Sequence, residues 1–491
     1  MNELQIAFIT NAEVRRWMRV LAIIERENHF TRVALSERLG ISQRTMIKDL
    51  QSIKIYFGKA IQLTSFNAGF YFEVKNRMDF QEKKSQLVKD EVLINIVTDI
   101  FYGYEKSLSE AADQYNYGES TMRRFLAQIQ PILATYGLTI TSNPLELSGN
   151  EVCIRKFFFD FYYQGEHLIQ DVHPPEELHS LILAHFSDRL GNYELGTGTT
   201  ISGFYYQLYI TMVRVQQYHF ISLPDWLLSV DYQEKDFHLF FSMQDMIKKE
   251  FGISLPKEEF SWVHLWIISQ RTTTSVSKEL LFSKRFNNWP KIQKVVSDYL
   301  NEPFFIQWDT KVLAQFLTSF FVSLLLNEAI HPVLNKELVE IQQMAKKAYE
   351  PLWEKNVRFM EKQLSSLGVS ETYGEDIVAR FTLFTRMLLE KYQPSKHIVF
   401  LLEGDYLAVQ EIRYQAQAQL GAHHHLVFLR QHELTPERLE TEQVDLIVTN
   451  YRPYMMKYTL QTDIILMKIF PDKSDWNQVT QWLNPLKKLE T

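Results

Sequence analysis

The chain has 491 residues, 46% of them hydrophobic and 14% aromatic, enough to fill several packed cores. A net charge of -7 argues against a surface that coats nucleic acid all over, and a single cysteine, Cys153, excludes an internal disulfide framework and suits a reducing compartment. The charge is uneven: residues 1–80 hold 12 Lys and Arg against 8 Asp and Glu, which leaves -11 on the rest and suits a protein that touches phosphates with one end.

The opening stretch MNELQIAFITNAEVRR has no basic region followed by an apolar core, so no signal peptide is expected. No apolar run reaches the length of a membrane span. The greasiest, Phe316 to Leu326, is interrupted by Thr318, Ser319 and Ser323. The expectation is a cytoplasmic protein with no membrane partner.

Residues Ser36 to Phe57, SERLGISQRTMIKDLQSIKIYF, are the most informative. A short helix, Thr31 to Leu39, should stop at Gly40, which tolerates a left-handed backbone. Ser42 stands where an N-cap belongs. Met46, Leu50, Ile53 and Phe57 then fall at i, i+4, i+7 and i+11, one apolar stripe. Gln43, Arg44, Lys48 and Gln51 form a basic, amide-bearing face elsewhere. This is the helix-turn-helix pattern, whose second helix enters the major groove. The alternating runs around Asn67-Ala68-Gly69 predict a hairpin, the wing of a winged helix. The plainer alternative is a surface helical hairpin with a solvated basic side. In the DNA-binding reading, Ser42, Gln43, Arg44, Thr45, Lys48 and Gln51 carry the contacts.

A second copy follows. LSEAADQYNYGESTMRRFLAQIQPIL, Leu108 to Leu133, opens with the Leu-Ser-Glu of Leu35 to Glu37, and Met122, Leu126, Ile129 and Leu133 answer Met46, Leu50, Ile53 and Phe57. The matching predicts a second winged helix whose turn, Asp113 to Gly118, is three residues longer. Ser120, Thr121, Arg123 and Arg124 are its candidate DNA contacts. With Ala127 in the place of Gln51, this copy is poorer in base-reading groups and suits a grip on the backbone. The alternative is a packing helix with two solvated arginines.

From about Cys153 to Tyr392 the periodicity is helical almost throughout, and a break near residue 285 predicts two all-α bundles. No HExxH, phosphate-cradling glycine loop or clustered Cys and His ligands occur, so no catalytic residues, cofactor or metal are expected. His219, His238, His264 and His331 lie in or beside these helices. Each is either a packing or surface residue or a phosphoryl acceptor. After Pro394 the pattern changes to HIVFLLEG, an amphipathic helix, HLVFLR, a short helix from Thr435, VDLIVTN, TDIILMKI and a closing helix from Ser474. That alternation predicts a small parallel sheet covered on both faces, with ligands expected beyond the strand ends at Glu403-Gly404-Asp405. Of His423, His424 and His425 at most two can share a strand face, which disfavours a metal site.

Carried by SERLGISQRTMIKDL and LSEAADQYNYGESTMRRFL, the whole arrangement resembles the Mga/AtxA-type virulence regulators of Gram-positive bacteria. The resemblance implies a multidomain, mainly α protein. Its domains would be a first winged helix-turn-helix (1–78), a second of Mga type (79–160), two all-α bundles like phosphotransferase regulation domains (161–285 and 286–393), and an enzyme IIB-like α/β unit with a parallel sheet (394–491). It implies a transcription activator that binds promoter double-stranded DNA as a homodimer, meets RNA polymerase, and is tuned by histidine phosphorylation from a phosphotransferase-system phosphocarrier protein. Gln207, seven residues before Arg214, and Trp266 stand where such regulation domains usually carry histidine, EDIVARFTLF has none, and the IIB-like loop lacks its cysteine. The acceptors are then His219, His264 or His331, or the signal is something other than phosphate. An RNA-binding antiterminator and a phosphotransferase-system phosphoryl carrier are the alternative functions.

Overall fold

The protein is described by a computed structural model covering residues 1–66, 69–164, 172–186, 193–306, 308–429, 433, 444–454 and 462–484. It forms two compact units: residues 1–293, 316–348 and 357–380 make the first, and residues 294–315, 349–356 and 381–491 the second.

The first unit opens with a short helix, Glu3–Ala7, absent from the sequence-based expectations. After it Asn11 caps the helix Ala12–Glu27 by accepting from the backbone N–H groups of Glu13 and Val14. The helix Arg32–Leu39 ends on Gly40 in the left-handed conformation (φ 64°). The helix Gln43–Phe57 follows, capped by Ser42. Strands Ile61–Phe66 and Gly69–Val74 pair antiparallel from Ile61 opposite Val74 to Phe66 opposite Gly69, and a short strand, His29–Phe30, extends the sheet beyond the second of them. The expected Asn67-Ala68 turn lies outside the described residues. The three helices close over Trp17, Met18, Leu21, Ile24, Met46, Leu50, Ile53 and Phe57, all buried. Within that core Asp49 is fully buried, and Arg16 holds its carboxylate with two N–H groups at 2.8 and 2.9 Å.

After a connecting helix, Arg77–Gln86, the same plan returns with helices Val92–Tyr102, Leu108–Gln114 and Glu119–Ala134 and a minimal antiparallel pair, Thr139–Ile140 with Leu147–Ser148. From the cap of the second helix to the end of the third helix's apolar stripe the repeat is offset by 76 residues, with no insertion. Thr31 and Ser107 are the caps of corresponding helices, Gly40 and Asn116 (φ 58°) the left-handed corner residues, and Ser42 and Gly118 the caps of the helices that follow. This corrects the expected three-residue lengthening of the second turn. The Leu-Ser-Glu triplets are not equivalent, because Leu35 is the fourth residue of its helix and Leu108 the first.

Among the described residues no strand occurs between Ser148 and His397. The helix Thr310–Ile330, 21 residues, is long and apolar enough to cross a membrane by length and composition, a longer stretch than the sequence reading allowed. Its most apolar window is 67% buried inside the protein. Its Ser319 and Ser323 hydroxyls donate to the carbonyls of Glu279 and Ser269, so the helix serves as a core element.

In the second unit Tyr299 donates to Asn356, whose amide donates to Thr382 and Thr385, and Lys355 lies over the rings of Tyr299, Phe304 and Phe305. Strands His397–Leu401, His425–Leu429, Leu446–Thr449 and Asp463–Leu466 form the expected parallel sheet, His397–Leu401 lying between His425–Leu429 and Leu446–Thr449. Ile398 and Phe400 pack on one face with the helices Tyr406–Leu420 and Lys473–Leu483, and Val399 and Leu401 pack on the other. The helix expected from Thr435, and residues 485–489 of the expected closing helix, fall outside the described residues.

Arg16→Met would leave Asp49 buried without its cation. It is expected to lower the stability of the N-terminal unit by about 3 kcal/mol in a denaturant titration. An unchanged midpoint would show that the pair contributes nothing.

Candidate nucleic-acid interface

A 15-residue helix with one buried stripe must turn its other side outward. On Gln43–Phe57 the stripe Met46, Leu50, Ile53 and Phe57 is at most 3% exposed. At 100° per residue Arg44, Lys48 and Gln51 fall on the opposite side. All three are exposed, as are Ser42 and Gln43, while Thr45 is half-buried. Neither Arg44 nor Lys48 makes an ion pair among the described residues. The Ser42 hydroxyl accepts from the backbone N–H of Thr45 at 3.1 Å and lies 2.8 Å from its hydroxyl, so both side chains are engaged in starting the helix. Two further exposed cations went unremarked in the sequence: Lys54, on the same helix, and Arg32, which opens the preceding one. Their signal was simple charge next to an assigned element.

The second helix pair keeps the architecture and loses charge. Met122, Leu126, Ile129 and Leu133 are buried, the last 0% exposed. Ser120, Arg124 and Ala127 occupy the places of Arg44, Lys48 and Gln51, and all are exposed. Arg123 is exposed as well but is paired with Glu119 at 3.3 Å one turn earlier. Arg124 leans on the ring of Phe125. Thr121 is half-buried. Gly118 caps this helix without a side-chain hydrogen bond.

Residues 76–162 match the family model of the Mga helix-turn-helix domain. The chain carries a Mga helix-turn-helix domain. It is also similar to two curated proteins of Bacillus anthracis, at 21% identity in each case. One is the capsule synthesis positive regulator AcpB, over 59% of this chain and 61% of the relative; the other is the capsule synthesis positive regulator AcpA, over 52% and 53%. The chain therefore spans only about half to three-fifths of the length of the relatives it matches.

The Mga helix-turn-helix domain ends in the helix Glu151–Phe158, where charge is buried rather than displayed. Arg155 is 0% exposed. It donates to Glu259 at 2.5 Å, to Glu151 at 2.8 Å and to the carbonyl of His219 at 3.1 Å. Arg214 grips the same Glu151 at 2.8 Å. The domain is thereby fastened to the helices Ile201–Gln216 and Lys257–Ile268.

The three candidate histidines sit in three different settings. His264 is 0% exposed, with Nδ1 2.6 Å from Asp231 and Nε2 lacking a partner. An incoming phosphoryl donor has no route to that ring in this conformation. His331 caps the turn Pro332–Asn335, Nδ1 accepting from the backbone N–H of Val333 at 3.2 Å, with the Cys153 sulfur 3.6 Å away. Burial pushes the Cys153 thiol up to about 11, away from thiolate chemistry. His219 is half-buried and lines an open cavity of about 260 Å³ beside Arg214 and Glu146. Burial, and then Arg214, lower its pKa.

Gln207, fully buried, and Trp266 hold the positions compared with family histidines. Among the described residues no three His, Cys, Asp or Glu side chains group to hold a metal. His424 faces inward and accepts from the Lys396 N–H at 3.2 Å, while His423 and His425 are exposed. At the strand ends, Glu403 and Asn450 exchange hydrogen bonds of 2.7 and 2.8 Å, the Tyr454 hydroxyl donates to the Glu403 carboxylate, and Asp405 caps the helix that follows.

Burial pulls the His264 pKa down, but the Asp231 charge and hydrogen bond outweigh it and leave the pKa raised. A raised folded-state pKa contributes stability that is fully present below the unfolded value near 6.5 and is lost as pH rises through the folded value. The stability difference between the native protein and Asp231→Asn should accordingly narrow as pH is raised from about 6 to 9 in thermal melts. A constant difference would mean that the ring is neutral throughout.

Proposed function

We propose that the protein is a DNA-binding transcriptional regulator of the Mga/AtxA type, acting as an activator at promoter duplexes. The observation that carries this is the exposed face of Arg44, Lys48 and Gln51, opposite a fully packed stripe and preceded by an N-capped tight turn. The Mga domain match and the similarity to two capsule synthesis positive regulators support it. In this reading residues 1–78 and 79–160 are tandem winged helices. The first reads the groove through Arg44, Thr45, Lys48 and Gln51. The second, through Ser120, Thr121, Arg123 and Arg124, mainly grips phosphates. Linking two modest DNA surfaces raises affinity through effective concentration.

We further propose that the helical middle forms two PRD-like regulatory bundles and that residues 394–491 are an enzyme IIB-like unit promoting a homodimer. RNA polymerase and a phosphocarrier protein are the proposed partners, and the cytoplasm the proposed compartment. Of the three histidines, His219 is our choice of phosphoryl acceptor, because its ring borders an open cavity.

Arg44→Gln with Lys48→Gln is expected to abolish shifts of promoter-length duplex DNA while circular dichroism stays unchanged. Each phosphate-bound cation removed should also flatten the log K against log salt slope by about 1. Undiminished binding would remove the assignment, and preference for hairpin RNA over duplex DNA would favour the antiterminator instead. Incubation with phosphoenolpyruvate and the general phosphotransfer proteins is expected to give an acid-labile label that His219→Ala loses. Label persisting in that variant would reassign the acceptor, and label passed to a small molecule would favour a phosphoryl carrier.

A further inference from the structure

The first unit contains a cavity of about 170 Å³ that no DNA-binding role uses. Three cations line it: Lys156 from the end of the Mga domain, Lys336 and Arg380. Thr199 and Thr200 line it too, at the start of the helix Ile201–Gln216, where the partial positive end of a helix adds to the field. Gly203 forms part of the wall. A Cβ there would press on the Thr199, Thr200 and Tyr163 side chains at 3.3 Å, so a larger residue would disturb the threonines that line the cavity.

The carboxylates here are Glu337, which itself lines the cavity, and Asp160 and Asp376, which are already engaged. Asp160 is held by Lys156 at 2.6 and 2.7 Å and by the Tyr136 hydroxyl at 3.0 Å. Asp376 accepts from the Glu337 N–H and from Gln342, both at 2.7 Å. Glu337 reaches Arg380 only at 4.0 Å, and its burial favours the neutral acid. Lys336 rests 5.0 Å from the Tyr136 ring centre, and among the described residues no carboxylate lies within ion-pair distance of it. Burial lowers the pKa of both Lys336 and Arg380, and the neighbouring carboxylates, Asp376 for Lys336 and Glu337 for Arg380, offset that cost only in part. An anion in the cavity would supply that charge.

We propose that this cavity binds a phosphate-bearing small anion, either inorganic phosphate or a small phosphate ester, between Lys156, Lys336, Arg380 and the threonine-capped helix start. The volume is well below that of sites for drug-sized ligands, which favours a small anion. Phosphate suits the walls: its oxygens accept charge-assisted bonds from ammonium, guanidinium and hydroxyl groups together. Because Lys156 belongs to the helix that ends the Mga domain, the ligand would tie that domain to the helix Ile201–Gln216 and the turn before Lys336. Only this regulatory consequence rests on the DNA-binding reading. The binding itself does not.

The test is titration calorimetry on the full chain without DNA, at constant ionic strength, with inorganic phosphate, glycerol 3-phosphate and glucose 6-phosphate. Saturable one-to-one binding by at least one probe is expected, weakened about tenfold or more in Lys336→Gln and several-fold in Thr199→Val. The milder threonine variant keeps the test open should Lys336→Gln fold poorly. Equal binding of inorganic phosphate and the esters assigns free phosphate, and a preference for glycerol 3-phosphate assigns a small ester; either supports the site. No saturable binding of any probe up to the order of 10 mM, or equal affinity in both variants, overturns it. A separate gel shift of the same preparation with duplex DNA tells failure of this site from failure of the DNA-binding reading.

Discussion

The helix Gln43–Phe57 has one side to bury, and everything about the proposed interface depends on which side that is. Met46, Leu50, Ile53 and Phe57 each gain roughly 1.5–3 kcal/mol on burial. Rolling the helix to hide Arg44 and Lys48 would forfeit that stabilisation and desolvate two unpaired cations besides. Asp49 adds a second lock: its carboxylate, inside the core, accepts two bonds from Arg16. A buried ion pair is weak support for stability but strict about geometry, since neither partner tolerates losing the other. The outward cations are thus a consequence of how the inward face is fixed.

This much was legible in the sequence because it depends on local rules. The i, i+4, i+7, i+11 spacing, the Gly40 stop and the Ser42 cap all act within a few residues of themselves. The second copy shows where matching letters misleads. Leu-Ser-Glu occurs in both copies, yet aligning it forces an insertion that the backbone does not contain. Thr31 and Ser107 share the capping role, and Gly40 and Asn116 share the left-handed corner. Residue identity differs at both pairs while the physical requirement is the same. Asn reaches the left-handed region more readily than most residues, and a hydroxyl is a hydroxyl in Ser or Thr. The helix Ala12–Glu27 was missed although its cap, Asn11, and its stripe through Trp17, Leu21 and Ile24 were readable by those same rules.

The middle of the chain resisted reading for a different reason. Its decisive contacts join residues far apart in sequence: Arg155 with Glu259, Arg214 with Glu151, His264 with Asp231. Spacing rules for helices see nothing at such separations. Helical periodicity correctly signals that this stretch is helical, but it gives no hint that Arg155 is 0% exposed or that His264 is sealed against its aspartate. The C-terminal sheet was more transparent, because near-continuous apolar strands punctuated by helices leave few arrangements other than a parallel sheet covered on both faces.

Arg155 and Lys156 are neighbours in one helix, and consecutive positions on a helix point about 100° apart. They therefore enter two separate networks. Arg155 serves the cluster of Glu151, Glu259 and Arg214, and Lys156 the cluster of Asp160 and Tyr136 beside the cationic cavity. Tyr136 follows the helix Glu119–Ala134, and Tyr373 reaches back to donate to the Thr135 carbonyl at 3.1 Å. The end of the Mga domain is thus held on two sides by buried, directional bonds rather than by a flexible linker. Hydrophobic packing tolerates small slides, whereas paired buried charges do not, since partial separation exposes each to an uncompensated desolvation cost. A change in charge balance in either cluster would be felt by the helix Glu151–Phe158, which carries both residues.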